Sequence, residues 1–234
     1  LKYFIKSSLT KSEPYNPRFI ESGREDILRT YDYLEHMELS GLLRKLHTAR
    51  TIYCFGTGYA QRNAVQEFAK SMQVCGKFCH VIPARNEFES TMSAMNQDDV
   101  VILVSFSGQT ENMREHVKML ALRKIPMIAI TAIGVNFMSS YAEYSLHYQT
   151  TPTQLSTQRK PYHSFVALSV LLDYIVRRYI DHVETQQRGN STKTAQVLES
   201  SEFSAETGAL DVADIRAQAG AAAIDRQHTD PSET

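Results

Sequence analysis

The feature that most constrains this chain is a change of hydrophobic period that recurs along its middle. Short β-rich apolar runs alternate with amphipathic stretches at helical spacing. Thr51–Phe55 is such a run, and after Gly56 the residues Ala60, Ala64, Val65, Phe68, Ala69 and Met72 mark one face of a helix. Phe78–Ile82 and Val100–Ser105 read as the next two strands, with a short helix near Glu87–Met95 between them. Thr110–Leu122 is helical, with Met113, Val117, Leu120 and Ala121 inward. Met127–Thr131 is a fourth strand, Ala142–Tyr148 a weaker fifth, and Tyr162–Ile180 a strongly apolar closing helix. Strands separated by helices of this length predict a parallel sheet covered on both faces and joined by right-handed crossovers. The expected class is α/β, a flavodoxin-like three-layer fold on a five-stranded parallel sheet, with added N-terminal helices.

Those helices come from Phe19 onward. Ile27, Leu28, Tyr31, Leu34, Leu39, Leu42, Leu43 and Leu46 recur at helical spacing, giving one long and one short helix with a pause at Gly41. Before them, Ser12–Pro17 reads as a proline-bearing linker, and Leu1–Leu9 as the end of a helix that the chain enters part-way. Beyond about Glu184 the composition turns to Gln, Ser, Thr, Ala and Gly, too poor in large apolar groups to offset the entropy of ordering, so a disordered tail is expected, with at most a marginal helix over Ala213–Ala223. The division is therefore 1–17, 18–183 and 184–234.

Charge narrows the partners. A formal net charge of −1 over 234 residues leaves no basic surplus with which this chain would itself hold nucleic acid. No apolar run approaches the length of a bilayer span and no signal-peptide pattern opens the chain, so a cytoplasmic setting is expected, without a membrane partner. Cys54, Cys75 and Cys79 read as free thiols; Cys75, Cys79 and His80 lack both a zinc spacing and a fourth ligand, so no metal is expected.

Two turns carry the chemistry. Ser105-Phe106-Ser107-Gly108-Gln109-Thr110-Glu111 stands where a buried strand gives way to a helix, the place where open α/β sheets bind ligands. Backbone amides at a helix start favour an anion, Ser105, Ser107 and Thr110 add hydroxyls, and Gly108 offers close backbone approach to an oxyanion. Capping of the helix by Ser107 or Thr110 is expected as well. The second turn, Gly56-Thr57-Gly58-Tyr59-Ala60-Gln61, lacks the third glycine and the distal acid of a dinucleotide fingerprint, and neither turn ends in the Gly-Lys-Ser/Thr of a nucleotide phosphate loop. No cofactor is expected. One ligand lying across two strand ends fits better, with its phosphate on the Ser/Thr turn and its hydroxyls near the glycine turn.

This pair of turns resembles the sugar isomerase (SIS) domain, a phosphosugar-binding module of flavodoxin-like fold, over about Leu42–Ile180. The resemblance implies phosphate binding by Ser105, Ser107 and Thr110 with backbone help from Phe106 to Gln109, and a ligand-facing turn at Gly56, Thr57, Gly58 and Tyr59. The segment Leu1–Lys6 with the polar stretch and helix after it is similar to the RpiR family of regulators, in which a helix-turn-helix domain precedes the SIS core. That implies an effector sensor for a sugar phosphate, acting on DNA through a domain largely outside this chain; the apolar faces of the closing helix and of the Phe19–Leu46 helices, more than one sheet needs, point to a homodimer or higher homo-oligomer.

Isomerases share the fold, so activity rests on a base beside the sugar. Glu87, Glu89, Glu111 and His163 are the candidates, with Glu89 and His163 as sugar contacts in a sensor or as catalytic groups in an isomerase. The sensor is the expected reading and the aldose–ketose isomerase its alternative.

Overall fold

The structure, a computed structural model, describes residues 17–189. The expectations for Leu1–Leu9, for most of the linker, for the tail from 190 and for Ala213–Ala223 lie outside the described residues. The chain divides into two units at 182/183; of the second, residues 183–189 are helical, and everything below belongs to the first.

The chain order is α1 (Pro17–Glu35), α2 (Ser40–Thr48), β1 (Ile52–Gly56), α3 (Tyr59–Val74), β2 (Cys79–Val81), α4 (Arg85–Ser93), β3 (Val100–Val104), a 3₁₀ turn (Glu111–Met113) running into α5 (Arg114–Leu122), β4 (Met127–Ala132), α6 (Phe137–Tyr141) and β5 (Tyr144–Tyr148). Residues from 166 to the end of the unit form α7. The five strands make one all-parallel sheet in the order β2-β1-β3-β4-β5.

The central strands β1 and β3 are buried at every position, as strands covered on both faces must be, and their sequences IYCFG and VVILV are correspondingly apolar throughout. Alternate residues divide them between two layers. Tyr53, Phe55, Val101, Leu103, Met127 and Ala129 share a core with Phe88 of α4, Val117 and Leu120 of α5 and Met138 of α6. Their neighbours Ile52, Cys54, Ile102, Val104, Ile128 and Ile130 turn to the opposite face, where α3 packs with Val65, Phe68 and Met72 buried; Leu168, Leu171 and Ile175 of α7 are buried as well.

Four local expectations need correction. Pro17 is the first residue of α1 rather than linker: a missing N–H and a fixed φ suit a helix start. Gly41 lies in the first turn of α2, and the break between the helices falls at 36–39, where Met37 N closes a turn on Leu34 O at 3.1 Å. The helix expected from Thr110 opens as a 3₁₀ turn and becomes α-helical only at Arg114. The closing helix starts at 166, because 150–165 is a loop pinned by the antiparallel bridge Thr153–Tyr162.

Candidate functional site

β1 and β3 pair in parallel with Gly56 opposite Val104, so the two turns leave the sheet side by side. Thr57 N donates to Val104 O at 2.9 Å, and Thr57 Oγ1 reaches Ser105 Oγ at 3.1 Å. Ser105 Oγ also accepts from Gly108 N at 3.2 Å and lies 3.2 Å from Thr110 Oγ1. A serine hydroxyl has two lone pairs and one proton. With both lone pairs taken by Thr57 and Gly108, its proton goes to Thr110, and Thr110 keeps its own proton to give. Ser105, 1% exposed, is therefore a keystone joining the two turns beneath the surface.

The upper surface is made by other groups. Ser107 is exposed, its Oγ accepting from Gln109 N at 3.2 Å, and Thr110 is half-buried. Among the described residues the amides of Phe106, Ser107 and Thr110 make no hydrogen bond. Thr110 is the residue before the 3₁₀ turn, yet its hydroxyl faces Ser105 and caps nothing; nor does Ser107 cap the helix. The expected capping role does not hold, since the hydroxyls are engaged within the turn.

Gly108 is needed for a reason other than the one its spacing suggested. Its φ is +62°, and a Cβ there would land on the Asn136 side chain. Asn136 caps α6 by accepting from Ser139 N at 3.0 Å, and its Nδ2 donates to Thr131 Oγ1 and to Gly134 O, each at 3.0 Å. Met138 N donates to Gly108 O at 3.0 Å and Ala132 N to Phe106 O at 3.0 Å, so the serine turn is stitched to the β4–α6 turn. Asn136 was missed in the sequence, although an Asn directly before a helical segment is a capping signal.

Beside the serine turn opens a cleft of about 340 Å³ lined by Phe106, Ser107, the turn from Ala132 to Val135, Thr150 and His163. The Phe106 ring meets His163 edge-on at 4.7 Å and Phe165 at 6.0 Å. His163 does not open α7; it sits on the preceding loop, and its buried Nδ1 has no partner among the described residues. The other sequence candidates are dispersed. Glu89 is exposed on α4 with no hydrogen bond or ion pair to the turns, and Glu87 lies on the same short helix. Glu111 pairs with Arg114 at 2.8 Å. Gln109 accepts from Arg114 at 3.3 Å, and Tyr59 projects from the start of α3, 75% exposed. Gly56 backs directly onto the first turn of α3, where a Cβ would strike the main chain of Gln61 and Arg62, and Gly58 is the residue before that helix.

The arrangement offers neutral donors, hydroxyls and amides without partners, at the carboxyl ends of two central strands, and among the described residues no Lys or Arg lines the cleft. Such donors suit an oxyanion. The model of the SIS domain family matches residues 45–177. The HTH-type transcriptional regulator GlvR of Bacillus subtilis (strain 168) is 23% identical over 166 residues, 71% of this chain; the chain spans 65% of that protein's length. The sugar isomerase domain of an RpiR transcription factor from Sphaerobacter thermophilus superimposes with a TM-score of 0.60 at 15% identity, covering 71% of this chain and 92% of its own. The NanR protein of Vibrio vulnificus, solved in complex with ManNAc-6P, gives 0.59 at 21% identity, covering 82% and 71%. At these identities the two structures speak to the fold.

Proposed function

Since this chain belongs to the SIS domain family, we propose that it is the effector-sensing part of a cytoplasmic transcriptional regulator: it binds a sugar phosphate and transmits occupancy to a helix-turn-helix DNA-binding domain. The observation that carries this reading is the hydroxyl network through Ser105, which locks two strand-end turns together beneath the amides of Phe106, Ser107 and Thr110, which have no partner among the described residues. The phosphate sits on Ser107 and Thr110 and on the backbone from Phe106 to Gln109; the sugar extends along the cleft toward Thr150 and His163, flanked by the turn from Gly56 to Tyr59. Neutral donors preorganised in this way hold a dianion without the reorganisation that flexible cationic side chains would need. The regulator GlvR and the ManNAc-6P complex of NanR support the choice of a sensor and of a phosphosugar. The sensor acts as a dimer or higher oligomer, in which occupancy shifts the relative geometry of subunits and thus of the DNA-binding domains.

An isomerase is the second reading, favoured by the unpartnered Nδ1 of His163 at the cleft wall. Against it stands the need for a base with a tuned pKa beside the C1–C2 bond. Among the described residues His163 is the one titratable group lining the cleft, and Glu89, the carboxylate partner an isomerase would need, is exposed and untied to it.

Thermal shift against hexose 6-phosphates, pentose 5-phosphates and amino-sugar 6-phosphates tests the site, since a ligand of the native state raises Tm by mass action. At least one compound should stabilise the chain. Ser107→Ala and Thr110→Ala should each weaken that binder about tenfold, the loss of one hydrogen bond to a charged group. Incubation with the same compound should return it unchanged; turnover would make the chain an isomerase, and absence of any stabilisation would remove the phosphosugar reading.

A further inference from the structure

Resting on that reading of the cleft, we propose that Asp26 is a positioning residue that couples the phosphosugar site to helix α1. Asp26 is 4% exposed on a helix whose other charged residues face solvent, and a buried carboxylate persists only where donors satisfy it. Its donors come from one residue 125 positions away. Thr151 N donates to one carboxylate oxygen at 2.8 Å and Thr151 Oγ1 to the other at 2.7 Å. One turn along α1, the buried Thr30 Oγ1 accepts from Gln149 N at 2.9 Å while donating to Asp26 O at 2.8 Å. No Lys or Arg pairs with Asp26 among the described residues.

The latch grips residues 149 and 151. The residue between them, Thr150, lines the cleft with Ser107 and His163, and its hydroxyl donates to Ser164 O at 3.1 Å, next to His163. The backbone N–H groups of Gln149 and Thr151 both turn to α1 while Thr150 between them lines the cleft, so one short segment serves both sides. Any adjustment of Thr150 or His163 on closing around a sugar acts on Gln149 and Thr151 directly. The helix so gripped, residues 17–35, lies outside the stretch matched by the family model and precedes the α/β core. The latch is thus a short polar connection between the binding cleft and the helix that precedes the core in the chain. Coupling of this kind is reciprocal: whatever displaces α1 must weaken the ligand, by the factor with which the ligand steadies α1.

Hydrogen exchange on the full chain, with and without the best sugar phosphate of the panel, tests this. In the parent chain the compound should slow exchange both at 106–111 and in α1 around 26–34. Asp26→Asn and Thr151→Val should retain protection at 106–111, lose the ligand-dependent protection of α1, and bind about tenfold more weakly. Thr151→Ser, which keeps both donors, should behave as the parent. A staple that merely stabilises the fold would lower Tm without altering where the ligand protects. Protection at 106–111 with no response in α1, or an Asp26→Asn chain with parental affinity and parental α1 protection, would overturn the coupling alone. If no compound protects 106–111, the phosphosugar site itself fails and the coupling with it. Should Asp26→Asn fail to fold, Thr151→Val, which leaves the carboxylate its backbone donor, decides the question.

Discussion

At the scale of single residues, the roles divide between what touches a ligand and what holds the touching groups. The sequence places Ser105, Ser107 and Thr110 in one turn and suggests one role for all three; the structure separates them by depth. Ser105 is the first residue past a buried strand, so its hydroxyl is buried with the strand end and bonds internally. Ser105→Ala should therefore act on stability, by about 1–3 kcal/mol, because it strands the buried Gly108 amide; denaturant melts of the unliganded chain measure this. Ser107→Ala, at an exposed position, should leave the melt unchanged. Gly108 was legible as special but not for its reason, since neither its left-handed backbone nor the presence of Asn136 under it can be read from spacing. His163 was legible as a candidate, and its place on a loop rather than a helix was not, because the Thr153–Tyr162 bridge that sets the loop is a contact between residues with no sequence signature.

At the scale of elements, the period of the hydrophobic pattern located every strand to within two residues, because central strands buried on both faces leave little freedom in their composition. What composition misses is how elements are joined. The links before β1 and before β3 are clamped together by Arg50 and Asp99: Nε and Nη2 meet the two carboxylate oxygens at 2.9 and 2.7 Å, and Asn96 N adds a third bond at 2.9 Å. Burial pushes the Asp99 carboxyl up, but Arg50 and Asn96 outweigh it and hold the group below the usual carboxylate range. A depressed carboxyl contributes stability above its unfolded pKa of about 3.9 and loses it as pH falls through the lower, folded value. Asp99→Asn should lower unfolding free energy at pH 7 by about 2 kcal/mol, a figure kept modest because Arg50 is half in solvent. The gap between variant and parent should close in urea melts taken at successively lower pH below about 4.

At the scale of the whole molecule, the fold and the place of the proposed site follow from one topological fact: β1 and β3 are adjacent, parallel and central, so their two turns must open together at the same edge of the sheet. That was derivable from alternating strands and helices. The tie from α1 to the loop behind the cleft was not, because Asp26 and Thr30 interrupt the apolar stripe of an amphipathic helix and read as ordinary surface residues until their partners at 149 and 151 are seen. The account has a rival within the same molecule: a groove of about 360 Å³ between α3 and α7, lined by Ala60, Phe68, Phe165, Leu172 and Val176 with Asn63, Glu67 and Asp173 at its polar margin. Its lining is largely apolar and carries two carboxylates, which repel a phosphate. Amide chemical-shift mapping of the isotope-labelled chain during titration with the best sugar phosphate separates the two. The account predicts the largest changes at Thr57, at 106–111 and at Thr150 and His163, and changes confined to the groove, at Asn63, Glu67 and Asp173, would contradict it.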